Sequence, residues 1–586
     1  MSDRYYEEEL RYLREAGREF ARMYPDRAGL LDTERIGERD PNVERLFEGF
    51  AFLAGRIRRK LDDDLPEITE TLVSLLWPQY MRMIPSLSIL ELMPQPNALQ
   101  APVTLDKGLV VHSSPVGSDN IKCQYRTCRG ITVNPLTLEH AGVYVAESSR
   151  SVIRLTLRLD PKIDFQTLAL DSLPLFLAGE APVAFALYHH LLRNVQSVRV
   201  RLPGAAGEIT LPARETFQAV PFSPRDTLWP VAPNAYAGYQ LLQEYFAFRE
   251  KFLFVELHGL NRVPVPLGTE TLEIDITLQE PYPQDKRFDR NDIRLHCTPI
   301  VNLFPLETEP VVVDHTRLEY PLRPITADAA FVEVFSVDAV EGYVHGTGNL
   351  ARYVPFTSFH HRPATGRNDH PERHYLASMR VSPAGRRQTF VSFGGHGVAE
   401  RGLPHETVSL QITATNGMLP RKALREASIR EPVGHFPDFI RLRNITPPTL
   451  PCYPPTEDRF HWRVISHLAA NFMSLVDAEA LKGALSLYDW SGVESNRKRI
   501  ESILHVETGA IERPYRGGIV RGTQIRITLR PDHFADRGDL QLFGDILSQF
   551  FALYVSINTF SQLVFVLHPT EEVISWPATN GLQQPL

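Results

Sequence analysis

The stretch Asp40-Pro-Asn-Val-Glu-Arg-Leu-Phe-Glu-Gly-Phe-Ala-Phe-Leu-Ala-Gly-Arg-Ile57 reads as a helix from its first residue. Asp40 can cap it, and Pro41 suits its first position, where the missing N–H costs no hydrogen bond. Val43, Leu46, Phe50, Leu53 and Ile57 then recur at intervals of 3, 4, 3 and 4, on one face. Upstream, Tyr6, Leu10, Leu13, Gly17 and Phe20 repeat at 4, 3, 4 and 3 and form a second seam. Asp62-Asp-Asp-Leu-Pro66 ends the second helix, because carboxylates oppose the dipole at a helix C-terminus and favour the start of the next. A third helix is expected from near Pro66 to Trp77, stopped by Pro78. The first 70 residues hold 13 Arg and Lys and 18 Asp and Glu, so the other faces of these helices are solvated or face a partner. Two arrangements fit: a self-contained three-helix unit, or a bundle shared with another chain. Gly17 in the seam would let a partner backbone approach, at a helix-propensity cost of about 1 kcal/mol.

Downstream the pattern changes. From about 90 to 430, short period-two runs such as Ile153-Arg-Leu-Thr-Leu-Arg-Leu159, Thr271-Leu-Glu-Ile-Asp-Ile-Thr-Leu278 and Phe331-Val-Glu-Val-Phe-Ser-Val337 read as half-buried antiparallel strands. Helices are expected near Ala181 to Leu192 and Tyr236 to Phe248, and a long exposed loop over 360–390. The C-terminal part is mixed: helices over Val464 to Leu475, Asp477 to Tyr488 and Ser495 to Leu504, a strand from Gly518 to Arg530, a helix from Gly538 to Tyr554 and a buried strand Leu563 to Leu567. This strand, helix, strand order is paralleled between Leu155 and Arg201, so a duplicated module is expected. The fold class is therefore α+β and multidomain: an N-terminal helical bundle segment (1–90), a first β-rich domain with a strand-helix-strand module (91–235), a central β-rich domain (236–430) and a C-terminal α/β module (431–586).

Composition limits the function classes. At 586 residues the chain is long enough for several cores, and 43% hydrophobic with 23% charged residues is ordinary for folded proteins. A net charge of -8 gives no field that would draw nucleic acid or an anionic membrane. Proline, at 46 residues, is abundant and predicts many turns and edge strands. Four cysteines, Cys123, Cys128, Cys297 and Cys452, are too few for a disulfide framework, and no segment reads as a signal peptide or membrane span. The expected location is the cytoplasm.

Motifs for chemistry are weak. There is no P-loop, nucleophile elbow or H-E-x-x-H zinc motif. Gly346-Thr-Gly348-Asn-Leu-Ala351 spells part of a dinucleotide fingerprint, but Arg-Tyr-Val-Pro follows where a helix should open. His360, His361, His370 and His374 are the best metal candidates, although Pro371 argues for a solvated loop instead. Cys123 and Cys128 lack a second cysteine pair, and His189-His190 fits a helix C-terminus. Gly394-Gly-His-Gly397 has no nucleophile beside it. Arg513, Arg516, Arg521, Arg526 and Arg530 suit a solvated strand face better than a phosphate site. No enzyme is expected, and no cofactor or metal. Nine lysines against 53 arginines fits bidentate interface contacts, or a GC-rich genome.

Several stretches in order resemble the TssF family (VasA/ImpG), a baseplate subunit of the type VI secretion system. They are Tyr5-Tyr-Glu-Glu-Glu-Leu-Arg-Tyr-Leu-Arg to Tyr24-Pro25; Asp40 to Ala54; Lys60-Leu-Asp-Asp-Asp-Leu-Pro66 to Trp77-Pro78; Leu242-Gln-Glu-Tyr-Phe-Ala-Phe248; Cys297-Thr-Pro-Ile-Val-Asn-Leu-Phe304; Thr415-Asn-Gly-Met-Leu-Pro420; Ile465 to Leu475; and Leu542-Phe-Gly-Asp545 to Asn558. The resemblance implies a non-enzymatic subunit similar to contractile-phage wedge proteins. Two copies would pair with one TssG-type subunit, and wedges carrying TssK and TssE would ring the VgrG spike. It also implies that Tyr6, Leu10, Leu13, Gly17, Phe20, Val43, Leu46, Phe50, Leu53 and Ile57 face partners in a shared bundle, and that the C-terminal module contacts neighbouring wedges. The alternatives are the equivalent subunit of a phage tail or tail-like particle, and a metal-dependent hydrolase using the 360–374 histidines.

Overall fold

The computed structural model describes residues 6–7, 10–13, 45–54, 72–74, 78–95, 98–117, 119–147, 149–159, 162–168, 170–202, 208–220, 226–230, 237–314, 316–345, 350–356, 373–381, 387–395, 405–425, 428–455, 463–464, 477–515, 518–552, 555 and 559–581. The chain forms two compact units, residues 1–73 with 456–465, and residues 74–455 with 466–586. In the smaller unit the described residues 6–7, 10–13, 45–54 and 72–73 are helical.

The larger unit is mixed α/β and rich in strands. Its six-stranded sheet runs in the order Ile429–Pro432, Val110–Ser113, Gln124–Thr127, Cys297–Val301, Leu87–Pro94, Ile440–Asn444. This sheet draws strands from across the expected segment boundaries, and the boundary at 90 falls inside the strand Leu87–Pro94. The β-rich segments are therefore interwoven rather than strung one after another. Alternation along each strand locates the strands but says nothing about which distant strand will be the neighbour. Leu87–Pro94 pairs antiparallel on both edges, Leu90 facing Thr298 on one side and Asn444 on the other.

Two further sheets draw their strands from residues 136–295. One has the order Glu208–Leu211, Val195–Arg201, Thr271–Leu278, Ser151–Leu159, Leu136–Val145, and the other Phe217–Ala219, Phe254–His258, Ser172–Leu177, Ile293–Leu295. The strands expected at 153–159 and 271–278 are present. An eight-stranded sheet takes Phe304–Glu307, Glu406–Thr415, Glu333–Val344, Leu350–Pro355, Arg373–Val381, Arg387–Gly394 and Tyr320–Pro321 in order, with Val311–Val313 paired to Glu406–Thr415. The loop expected over 360–390 is thus corrected. Arg373–Val381 and Arg387–Gly394 form an antiparallel pair, with Tyr375 facing Phe393 and Ala377 facing Val391. Period-two apolar residues, Tyr375, Val391 and Phe393 among them, win over the local density of Arg and Gly; residues 357–372 lie outside the described residues.

Asn302 joins the six-stranded sheet to the eight-stranded one. It is fully buried, and its side chain spends its whole hydrogen-bonding capacity. Nδ2 donates to the Gln124 carbonyl and to Asn416 Oδ1, both at 2.8 Å, and Oδ1 accepts from Thr415 Oγ1 at 2.8 Å and the Asn416 N–H at 2.7 Å. Two of the stretches quoted above, Cys297 to Phe304 and Thr415 to Pro420, therefore meet at one side chain. Gly417 follows with φ +52°, and a Cβ there would lie 2.6 Å from Glu333 Oε1, so the turn favours glycine.

Helix α1 (Ala181–Arg193) has Pro182 in its first turn and is buried nearly all round, as expected of a helix between layers. It lies against strands of the five- and four-stranded sheets on one side. On the other it meets α3 (Arg537–Ala552), which also touches α2 (Ala237–Ala247) and the strand Phe560–Leu567. The close approach is permitted by Gly538: a Cβ there would sit 1.9 Å from the Phe185 carbonyl oxygen. The N-terminus of α3 is held by Asp539, fully buried, which takes a forked pair of bonds from Arg499 (Nε at 3.0 Å and Nη2 at 2.6 Å to Oδ2) and one from the Ala535 N–H.

The duplicated module is not found. Gly518–Leu529 and Phe560–Leu567 pair directly and in parallel around α3. In the earlier segment Thr271–Leu278 lies between Ser151–Leu159 and Val195–Arg201, and Ser172–Leu177 belongs to another sheet. Strand-helix-strand order recurs in sequence, but the strand inserted from position 271 makes the two topologies different.

Replacing Asn302 with Leu would take their partner from the Thr415 hydroxyl, the Asn416 N–H and the Gln124 carbonyl, and would leave Asn416 Oδ1 with the Gln124 N–H alone. At roughly 1–3 kcal/mol for each unsatisfied group, the N302L protein is expected to lose at least about 3 kcal/mol, read as a lower denaturant midpoint by circular dichroism. An unchanged midpoint would show that the Asn302 junction is dispensable.

Candidate partner interface

In the smaller unit, residues 45–54 form a helix with two distinct apolar faces. Ala51 is fully buried and Phe47 and Ala54 are partly buried, so the row 47, 51, 54 is the face that this chain covers. The row 46, 50, 53 is rotated about 100° away at the helical repeat. There Leu46, Phe50 and Leu53 are 61%, 61% and 57% exposed. The periodic stripe identified in the sequence is thus the outward face. The inward row, also spaced 4 and 3, was overlooked because two of its members are alanines. Three large side chains left in water forgo on the order of 3–5 kcal/mol that burial would return.

The upstream seam behaves differently. Leu10 is buried at 8% exposure, Tyr6 and Leu13 are partly buried, and Tyr12, which is outside the stripe, is 66% exposed. Gly17, Phe20, Val43 and Ile57 lie outside the described residues.

The chemical candidates are dispersed. His374 sits on the strand Arg373–Val381 with its ring 6.4 Å from Phe356, while His360, His361 and His370 lie outside the described residues. Among the described residues no group of three or more His, Cys, Asp or Glu could hold a metal ion. Burial pushes the Cys123 and Cys128 thiols up to about 12, and Cys128 Sγ donates to the Leu228 carbonyl at 3.4 Å, so neither is a ready thiolate. Cys297 is buried and raised further, in the strand beside Asn302. Burial lowers His190 to about 4, which keeps it neutral within the α1 packing, and His189 Nδ1 lies 3.4 Å from Gln541 Oε1.

The arginine run is split between functions. Arg513 lies over the Phe560 ring at 4.4 Å, Arg521 pairs with Glu512 at 3.1 Å, and Arg526 and Arg530 are exposed. Arg516 lies outside the described residues. Strand Leu350–Pro355 follows the glycines at 346 and 348, where a dinucleotide site needs a helix. Gly394 ends a strand and Gly395 turns with φ +89°; His396 and Gly397 lie outside the described residues.

The chain has a strand-rich unit and a smaller unit whose helix exposes a row of Leu and Phe, the kind of apolar surface that marks an interaction site. The chain belongs to the TssF family of the type VI secretion system, whose family model matches residues 2–583. The type VI secretion system component TssF1 of Pseudomonas aeruginosa is 33% identical over 628 aligned residues, covering 98% of each chain. Among solved structures, a chain of the type VI TssK-TssF-TssG baseplate subcomplex, determined by electron cryomicroscopy, matches with TM-score 0.79 and 42% identity, over 91% of this chain and 98% of that one. A chain of the type VI baseplate complex matches with TM-score 0.71 and 39% identity over the full length of both.

At pH 8 the native protein is expected to leave Cys123, Cys128 and Cys297 unmodified by iodoacetamide, with labelling only after unfolding, as read by peptide mass spectrometry. Rapid native labelling of Cys128 would show an accessible thiolate and reopen a site there.

Proposed function

We propose that this chain is a non-enzymatic structural subunit of the type VI baseplate wedge, and that its helix 45–54 is a seam filled by partner chains. The reading rests on the exposed row Leu46, Phe50 and Leu53, opposite a row that the chain itself covers. The solved relative sits in a TssK-TssF-TssG subcomplex, and in this reading two copies of the chain pair with one TssG-type subunit. TssK and TssE complete the wedge, and wedges ring a VgrG spike to initiate sheath and tube assembly, as in contractile-phage baseplates. The stripe residues 6, 10, 13, 17, 20, 43 and 57 belong to the same bundle in this reading, with Leu10 inside the chain's own packing. The C-terminal module contacts neighbouring wedges, and the work takes place in the cytoplasm.

The mechanism is assembly gating. An apolar seam is covered only in the complex, so folding of this unit and recruitment of the partner are linked, and a bound partner stabilises the chain by an amount that grows with the logarithm of its affinity. A later change in ring packing can be driven only by a ligand that binds one ring state better than the other.

The test is co-expression with the TssG-type partner and mass measurement by light scattering. The wild type is expected to give a complex with two copies per partner. Leu46→Arg combined with Phe50→Arg alters exposed positions, so the melting profile of the isolated chain is expected to hold while co-purification is lost. Retained co-purification would refute the seam. Leu10→Arg is a poorer probe, because Leu10 is buried and the change would unfold its surroundings.

A further inference from the structure

Helix α3 carries a carboxyl that the packing does not pair with a cation. Asp545 is partly buried in the seam between α1 and α3. Its Oδ1 accepts from the Trp576 indole Nε1 at 2.7 Å, and its Oδ2 from the Tyr188 hydroxyl at 3.3 Å. Both donors are neutral. Trp576 is held against the helix, since a Cβ on Gly544 would come within 2.0 Å of the indole ring, and its ring centroid lies 4.7 Å from that of Phe565 in an edge-type contact. The carboxyl therefore links three parts of the larger unit: α1, α3 and the chain after the strand Glu572–Ser575.

The surrounding charges are few. From α1 come Arg193, which acts through space without a hydrogen bond to Asp545 among the described residues, and the imidazoles of His189, 3.4 Å from Gln541 of α3, and His190, both of which burial holds below the usual histidine range, so they stay neutral over most of the range in which Asp545 titrates. From α2 comes Glu244, whose carboxylate is occupied by Lys251, the Leu228 N–H and Gln240. The strand Phe560–Leu567 and the pair Thr579–Asn580 bring no titratable side chain. On α3 itself Asp539 is paired with Arg499 and Arg537 with Glu572, and just before the helix Asp536 is paired with Lys286.

We propose that Asp545 makes the α1–α3 seam a proton-responsive joint, which grips more tightly when its carboxyl is protonated. The neutral acid keeps an acceptor for the Trp576 N–H and gains a donor of its own, and it sheds the cost of holding a desolvated charge. The direction agrees with the titration: burial raises Asp545 to about 6, against the opposing hydrogen bonds from Trp576 and Tyr188 and the Arg193 charge. A folded-state pKa above the unfolded value means that the folded chain binds the proton first. The contribution is therefore largest below the unfolded carboxylate range and is lost as pH rises through 6.

The experiment compares the full-length chain with Asp545→Asn between pH 7.5 and 5.0 by denaturant unfolding, with hydrogen exchange of α1 and α3 peptides corrected for intrinsic rate. Relative to D545N, the wild-type folding constant is expected to rise about tenfold over that range, with protection rising in both helices. Parallel pH curves for the two proteins would overturn the joint. Trp576→Phe removes a donor that favours the charged form, so it should move the inflection to higher pH. An inflection that does not move would also overturn the proposal, and this variant keeps it testable if D545N folds poorly.

Discussion

Asn302 sets the terms on which the large unit closes. A buried amide with two donors and two acceptors can be satisfied only if the strand ends at Gln124, Thr415 and Asn416 all arrive at once. This converts the packing of two sheets, which hydrophobic burial alone would leave free to slide, into one register. The apolar clusters on either side supply most of the free energy: Leu90, Leu92, Tyr125 and Ile300 in one sheet, Val340, Val391, Val408 and Leu410 in the other. The amide supplies the uniqueness. An apolar side chain there would fill the space and leave backbone and Thr415 groups without partners.

The second joint, between α1 and α3, works by the absence of a side chain. Gly538 lets the helix backbone reach the Phe185 carbonyl, and Gly544 lets the Trp576 indole pack directly against α3. Arg499 and Asp539 then fix the N-terminus of α3 with a charge-assisted fork in a place that excludes water. Breaking such a pair would leave an uncompensated buried charge, at roughly 3–5 kcal/mol. The C-terminal layer is thus held by close backbone contact and one buried ion pair, with aromatic packing of Phe543 on Phe565 behind them.

Element identity was legible in the sequence where periodicity ran long and clean. The strand at 271–278 and the helices at 181–193, 237–247 and 537–552 lie where apolar spacing places them. Topology was not legible. Period two does not encode partner choice, so the strand Leu87–Pro94, which pairs with residues more than 200 positions away on one side and 340 on the other, looked like the edge of a segment when it is an inner strand of a sheet. Local composition also misled around Arg373–Val381, where arginine and histidine density concealed a strand. The quoted stretches around Asn302, Asn416 and Asp545 stood out as resemblances before they had a physical reason. The structure supplies one: they hold the polar groups that lock two joints.

The helix at 45–54 shows why the candidate interface was only half legible. A stripe of Leu and Phe at helical spacing says that one face must be covered, and by itself it does not say by what. Two rows about 100° apart support the proposed partner seam, because a helix packed within its own chain needs only one apolar face, and it has the row 47, 51, 54 for that. Keeping Leu46, Phe50 and Leu53 more than half exposed costs solubility and gives nothing to the isolated fold. The second row has a thermodynamic use only when another surface covers it. On the proposed reading the isolated chain carries an unfilled seam whose burial is available to drive association, and a single arginine there would cost a complex far more than it costs the fold.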